Sequence, residues 1–124
     1  MRSEKNTIKI GNSSNVQDRS VITTSSDNVE IGNNVTIGHG ALLNSCKVAD
    51  NVLIGQGSII EEGAVVESNS IIAAGAVVLS GTNVPSGQLW AGNPAKFVRS
   101  TTQEDKSGLV KSATAYVELA SKHL

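Results

Sequence analysis

Residues 48–90 decide the fold, and they read VADNVL-IGQGSI-IEEGAV-VESNSI-IAAGAV-VLSGTN-VPSGQL-W. Every sixth residue is aliphatic from Val48 to Val84, and the next such position holds Trp90. The same frame extends upstream through Ile10, Val16, Ile22, Ile31, Ile37 and Leu43. Three extra residues interrupt it after Ile22, and one residue is dropped before Val48. A repeat of this length points to a fold built from many small, equivalent units.

A period of six fits neither an amphipathic helix, which repeats every 3.6 residues, nor an antiparallel meander with clear hairpin turns. It fits short strands joined by tight turns, with the aliphatic residue inside and a small residue in each corner. Three hexads then close one coil, and stacked coils pair their backbones about 4.8 Å apart. We therefore predict an all-β protein over residues 1–99, a left-handed parallel β-helix shaped as a triangular prism. The alternative is a set of loops around a small antiparallel sheet.

The repeat stops at Gly92-Asn93-Pro94, and the signals that follow are helical. Thr101 and Glu104 have the spacing of a capping box. Apolar residues then recur on one helical face, at Leu109, Val110, Ala113, Tyr116, Val117, Ala120 and Leu124. We predict one amphipathic α-helix over residues 100–124, packed on the prism.

Composition excludes several functional classes. The chain has 124 residues, with 10 Lys plus Arg, 11 Asp plus Glu and a net charge of −1. It has no basic run to attract nucleic acid and no apolar stretch near the ~20 residues that span a bilayer. Cys46 is the only cysteine, so no internal disulfide forms, and we interpret it as a packing residue.

Three motifs resemble the γ-class carbonic anhydrases. Residues 1–18, from MRSE to NVQD, resemble that family's RGD…IGxxxNIQD segment. Residues 37–46, IGHGALLNSC, resemble its IGHxxxLHGC segment, and residues 89–99, LWAGNPAKFVR, resemble its WGGNPAKFxR terminus. The ending over residues 112–123 is similar to the carbonic-anhydrase-like subunits of mitochondrial respiratory complex I.

The resemblance implies a zinc ion shared between subunits of a trimer, held by two histidines of one subunit and one of its neighbour. His39 matches the single cross-subunit ligand. Thr23 and Asn44 occupy the positions of the other two. Both follow a frame residue, and their separation equals one coil plus the three extra residues, so we expect them to stack about 4.8 Å apart. Because a hydroxyl and an amide are poor zinc ligands, we expect no zinc in a homotrimer.

The resemblance also assigns further residues and partners. Gln17 and Asp18 match pocket positions of the family, and Arg2 with Glu4 matches its intersubunit ion pair. For all four, the alternative is an ordinary polar residue in solvent. The implied partners are copies of this chain or histidine-complete homologues in a trimer, and respiratory complex I. The implied location is the matrix side of the inner mitochondrial membrane, with the cytoplasm as the alternative.

Three hypotheses for the function follow. The first is a non-catalytic structural subunit, which the loss of two ligands within an otherwise intact motif favours. The second is a zinc-dependent carbonate dehydratase that is active only in a mixed trimer. The third is a hexapeptide acyltransferase with His39 as general base. Whether the protein is an enzyme therefore stays open at this point.

Overall fold

Fifteen short strands wind around one axis in the computed structural model, which describes residues 6–24 and 28–102. They form three sheets, here called faces A, B and C. Face A contains β1 (Ile8–Ile10), β4 (Val29–Ile31), β7 (Lys47–Val48), β10 (Val65–Val66) and β13 (Asn83–Val84). Face B contains β2 (Asn15–Val16), β5 (Thr36–Ile37), β8 (Leu53–Ile54), β11 (Ile71–Ile72), β14 (Gln88–Ala91) and β15 (Lys96–Ser100). Face C contains β3 (Val21–Thr23), β6 (Leu42–Asn44), β9 (Ile59–Ile60) and β12 (Val77–Val78).

The chain passes from face A to B to C and back, which makes about four turns of a parallel β-helix. All the regular secondary structure among the described residues is β-strand. No helix in this part of the chain is long and apolar enough to cross a membrane. The all-β parallel architecture predicted from the repeat is therefore confirmed, and its left-handed sense stays a prediction.

Pairing between the coils follows the hexad frame. Residues 21 apart pair between the first two coils, as Val21 does with Leu42. The offset falls to 17 at the next coil, where Leu42 pairs with Ile59, and then stays at 18, as from Ile59 to Val77. These offsets are one coil of three hexads, lengthened by the three extra residues and then shortened by the dropped one. The interruptions therefore change the length of a coil and leave the stacking in register.

The core is the column of frame residues inside the prism. Ten frame residues are buried, namely Ile31, Ile37, Leu43, Val48, Ile54, Ile60, Val66, Ile72, Val78 and Val84. Ile22 and Trp90 are partly buried against this core. The prediction that the aliphatic frame residue of each hexad lies inside is wrong for Ile10 and Val16, which are 46% and 38% exposed. Both lie in the first described coil, and within residues 6–24 and 28–102 this coil pairs with one other coil.

The corners use small residues, as the repeat predicts. Ser58 and Ser70 are fully buried, and their hydroxyls donate to the backbone oxygens of Ala73 at 2.9 Å and Pro85 at 2.8 Å. Gly55 follows a frame residue where successive coils approach closely, since a Cβ there would lie 2.5 Å from the backbone nitrogen of Ala74. Small side chains and their hydroxyls thus let the chain turn without leaving buried backbone oxygens unpaired.

The last strand reverses direction. After the turn at residues 92–95, β15 pairs antiparallel with β14 and ends the stack on face B. The chain then returns to the corner between faces A and B, where Thr101 donates its backbone N–H to Gly87 O at 2.8 Å and its hydroxyl to Asn69 O at 3.1 Å. Strand β15 includes Ser100, and the rest of the helix predicted over residues 100–124 lies, from residue 103 onward, outside the described residues.

The three faces differ in the residues that point outward, which precede the frame residues. On face A these are Lys9, Glu30, Lys47, Val65 and Asn83, so this face is mostly polar. On face B they are Asn15, Thr36, Leu53, Ile71 and Leu89, and on face C Val21, Leu42, Ile59 and Val77. Faces B and C therefore carry apolar columns that one prism alone leaves partly exposed.

Because the thiol of Cys46 is buried, we expect the prism to lose stability as the pH rises into the alkaline range. Burial raises the pKa of Cys46 from 9.0 to about 12. Between these values the unfolded chain loses a proton that the folded chain keeps. We expect the free energy of unfolding to fall with pH from about pH 9, by up to about 1.4 kcal/mol per pH unit. Urea denaturation at several pH values measures this slope, and Cys46→Ala should lack the thiol contribution. Equal slopes for the two proteins would contradict the prediction.

Candidate functional site

Thr23 and Asn44 lie side by side at the ends of strands β3 and β6. They are direct partners in the parallel register of face C, so their Cα atoms are about 4.8 Å apart. The Ser45 N–H donates to Thr23 O at 2.9 Å, and the Ser45 hydroxyl donates to Asn44 Oδ1 at 3.1 Å. Thr23 is exposed and Asn44 is half-buried. The predicted stacking of these two positions on adjacent coils is confirmed.

His39 lies at the other edge of face C, in the corner between β5 and β6. Its side chain is exposed, and its backbone oxygen accepts a hydrogen bond from the Gly57 N–H at 2.8 Å. Strand β6 separates it from Asn44, a distance on the order of 10 Å at about 3.3 Å per residue. His39 therefore lies one strand length away from Thr23 and Asn44 of its own chain, and the structure does not bring the three residues together.

The residues of this site do not fit zinc. Structural and catalytic zinc sites use imidazole, thiolate or carboxylate ligands, with three protein ligands as the minimum in catalytic sites. The pair on face C offers a hydroxyl and an amide, and a neighbour's His39 would add one imidazole. Within residues 6–24 and 28–102, no group of three His, Cys, Asp or Glu residues is placed to bind a metal. The site does not fit zinc because a hydroxyl and an amide are weak zinc ligands.

Gln17 borders a cavity of about 220 Å³ on face B, next to the His39 corner. The wall also includes Thr36, His39, Leu53 and Gln56. The Gln17 side chain donates to Asn15 Oδ1 at 3.4 Å. No carboxylate, ammonium or guanidinium group is among the side chains named here. The cavity therefore offers amide and imidazole groups above an aliphatic floor.

Thr36 is the residue of this cavity that the repeat does not identify. It precedes a frame residue, so the alternation of a strand places it outside, yet only 2% of it is exposed. Its Oγ1 is buried without a hydrogen-bond partner among the described residues. A buried hydroxyl without a partner costs about 1–3 kcal/mol. A polar residue at an outward position carries no signal of burial in the sequence, so this feature could be found only in three dimensions.

The remaining site predictions are placed as follows. Asp18 is exposed at the same corner as His39, where its backbone oxygen accepts the Gly40 N–H at 3.0 Å. Arg2 and Glu4, the predicted intersubunit pair, lie outside the described residues. Cys46 is 1% exposed inside the core. A packing role for this thiol agrees with its position.

Two solved structures resemble this chain over 94% of its length, and a family model matches part of the repeat. Residues 45–80 match the family model described as bacterial transferase hexapeptide, six repeats. The chain is similar to a hexapeptide transferase family protein from Anaplasma phagocytophilum, with 43% identity and a TM-score of 0.88 over 94% of this chain and 69% of the other. It is also similar to a Bacillus cereus protein provisionally named as an acetyltransferase, with 35% identity and a TM-score of 0.85 over 94% of this chain and 68% of the other.

Similarity to a carbonic anhydrase is local. Gamma carbonic anhydrase 1, mitochondrial, from Arabidopsis thaliana is 48% identical over 40 residues. This match covers 32% of the present chain and 14% of the Arabidopsis protein. The resemblance read from the motifs is therefore supported over a short segment, and a link to respiratory complex I stays a prediction.

Proposed function

Because this chain belongs to the hexapeptide transferase family, we propose that it is a carbonic-anhydrase-like member that assembles as a trimer and has no complete zinc site of its own. The observation that carries this proposal is the register of Thr23 with Asn44, which puts a hydroxyl and an amide side by side on adjacent coils. The motif resemblance assigns these two positions to the paired histidines of the γ-class family. In this proposal the protein serves as a non-catalytic structural subunit.

The proposed trimer agrees with the outer surface of the prism. Face C carries Val21 and Leu42, which are 47% and 40% exposed, beside the Thr23–Asn44 pair. Aliphatic side chains at this exposure gain stability when a neighbouring subunit covers them. In a closed ring of three, the His39 corner of one subunit would meet face C of the next. By analogy with the name of the Arabidopsis relative, we propose a mitochondrial location. The resemblance of residues 112–123 to carbonic-anhydrase-like subunits is the basis for proposing complex I as the larger assembly.

The first test restores the missing ligands. We expect the unaltered protein to bind less than about 0.1 zinc per chain after dialysis against trace metal. The double variant Thr23→His/Asn44→His should bind one zinc per chain, because three imidazoles then meet at each subunit contact. Metal analysis by plasma emission spectroscopy, on samples whose mass is checked by light scattering, gives both values.

The control for this test is the triple variant that also carries His39→Ala. It should lose the zinc gained by the double variant, since only two imidazoles remain at each contact. Zinc binding by the unaltered homotrimer at one ion per chain would overturn the proposal. A double variant that stays trimeric and binds no zinc would show that these positions do not correspond to the family ligands.

A mixed trimer tests the retained histidine separately. With two histidine-complete homologues, one chain of this protein provides a defective pair and an intact His39. We expect two zinc ions per mixed trimer, one of which uses His39. His39→Ala should reduce the count from two to one without dissociating the trimer, because an exposed corner residue contributes little packing. A count of one before the substitution, or no change after it, would show that His39 is not a ligand.

Acyl transfer is the second candidate function, and the position of His39 beside the cavity favours it. An exposed imidazole next to a cavity of about 220 Å³ could accept a proton from an acceptor hydroxyl or amine. We expect acetyl-CoA hydrolysis or transfer, if present, to fall at least 100-fold in His39→Ala. Calorimetric titration with acetyl-CoA decides between the candidates, since a structural subunit should show no binding at millimolar concentration.

A further inference from the structure

The first described coil forms an apolar end of the prism, here called the open end. Its strands β1, β2 and β3 are each the last strand of their sheet in the part of the chain that the structure describes. Three inward side chains of this coil are exposed, Ile8 by 45%, Ile10 by 46% and Val16 by 38%. The residues that pair with these three in the second coil are buried, namely Val29, Ile31 and Ile37. The open end is therefore a section through the core.

Backbone groups at the open end point away from the prism. On either side of Val16, the N–H groups of Asn15 and Gln17 donate to Val35 O and Ile37 O of the second coil, both at 2.9 Å. Because successive residues of a strand direct their backbone groups to opposite edges, the N–H and C=O of Val16 point away from the second coil. The same alternation applies to the other inward residues, Ile8, Ile10 and Ile22. Strand edges of this kind pair readily with other strands.

The opposite end of the prism is closed. The turn after β14 lies over face C, where the Val77 N–H donates to Gly92 O at 2.9 Å and the Ala95 N–H donates to Val77 O at 2.8 Å. Strand β15 covers β14 on face B. Val78 and Val84, the last frame residues of faces C and A, are fully buried. The closed end therefore does not match the open end, and stacking of one on the other is unfavourable.

A second copy of the open end is the occupant that these observations favour. An unfolded peptide would lose the conformational entropy of a whole coil on binding there, whereas a folded prism presents three edges already formed. The same end of a second copy has strands of the same number and length. The single charged residue of β1, β2 and β3 is Lys9, which points outward. No inward charge on these strands opposes the contact.

We propose that two prisms meet head to head at their open ends, related by a two-fold axis. A two-fold rotation reverses the direction of winding, so the edge strands of the two copies run antiparallel across the contact. The contact closes after two prisms because the opposite ends are covered. It goes beyond the proposed function, since it uses neither the Thr23–Asn44 pair nor His39. In the proposed trimer three open ends point the same way, so two trimers form an assembly of six chains, and the three contacts reinforce one another.

The mass of the full-length protein in solution tests this proposal. Ile10→Asp places a carboxylate in the open end. Leu79→Asp is the matched control, because Leu79 is 45% exposed and lies in the coil next to the closed end. Light scattering and sedimentation velocity from micromolar to millimolar concentration should give six chains for the unaltered protein and for Leu79→Asp. We expect three chains for Ile10→Asp, with association of the open ends weakened at least 100-fold, because a buried carboxylate without a partner is costly.

A second pair of variants tests the backbone pairing without adding charge. Val16→Pro removes an N–H that points out of the open end and leaves the Asn15 and Gln17 donors in place. Val16→Ala keeps that N–H. We expect Val16→Pro to weaken association of the open ends at least 100-fold and Val16→Ala at most tenfold. Circular dichroism checks that each variant keeps its β-structure, and the Val16 pair decides if Ile10→Asp unfolds.

Several outcomes would overturn the head-to-head contact. A mass of three chains for the unaltered protein at every concentration would exclude it and leave the proposed trimer intact. Equal effects of Ile10→Asp and Leu79→Asp, or six chains in folded Val16→Pro, would place the contact elsewhere. Particles that grow beyond six chains would show that the closed ends also associate. A mass of two chains, lost in Ile10→Asp, would instead support the contact and contradict the trimer.

Discussion

The structure depends on one constraint, the pairing of each coil with the next through backbone hydrogen bonds in a fixed register. That pairing uses parallel strands two to four residues long, each of which carries one apolar frame residue. Where a coil is longer or shorter than three hexads, the difference is taken up between strands, and the column of buried residues continues from Ile31 to Val84. The backbone approach is so close at Gly55 that a methyl group would collide with the next coil.

The same register aligns residues one coil apart into columns on the outer surface. Residues in these columns can differ without changing the fold. Thr23 and Asn44 follow frame residues on face C, where they are exposed or half-buried. Neither contributes to the aliphatic interior. Replacing imidazole by hydroxyl or amide at these positions alters the ligand chemistry and leaves the packing of Ile22 and Leu43 unchanged. A prism of this kind can therefore vary at these two positions without changing its aliphatic interior.

The features that follow from the six-residue repeat could be predicted from the sequence. The features at the two ends of the repeat could not. The buried frame from Ile31 to Val84 and the stacking of Thr23 on Asn44 follow from counting residues by six. The exposure of Ile10 and Val16 depends on the absence of a described coil below them, which no local period reveals. The antiparallel return of β15 follows the last hexad and has no precedent in the repeat. The burial of Thr36 depends on neighbours in two adjacent coils.

The two candidate functions use different parts of the prism. One uses the edge of face C at Thr23 and Asn44, and the other uses the cavity on face B. Carbonic-anhydrase chemistry needs imidazoles at the Thr23–Asn44 edge of face C, where this chain has weak ligands. Acyl transfer needs a base beside a cavity, and His39 with Gln17 and Thr36 meets that requirement on the face B side. His39 lies at the corner common to both faces, so it is the one residue that serves either chemistry. Its exposed position at this corner therefore suits a role toward a neighbouring subunit as well as a role toward the cavity.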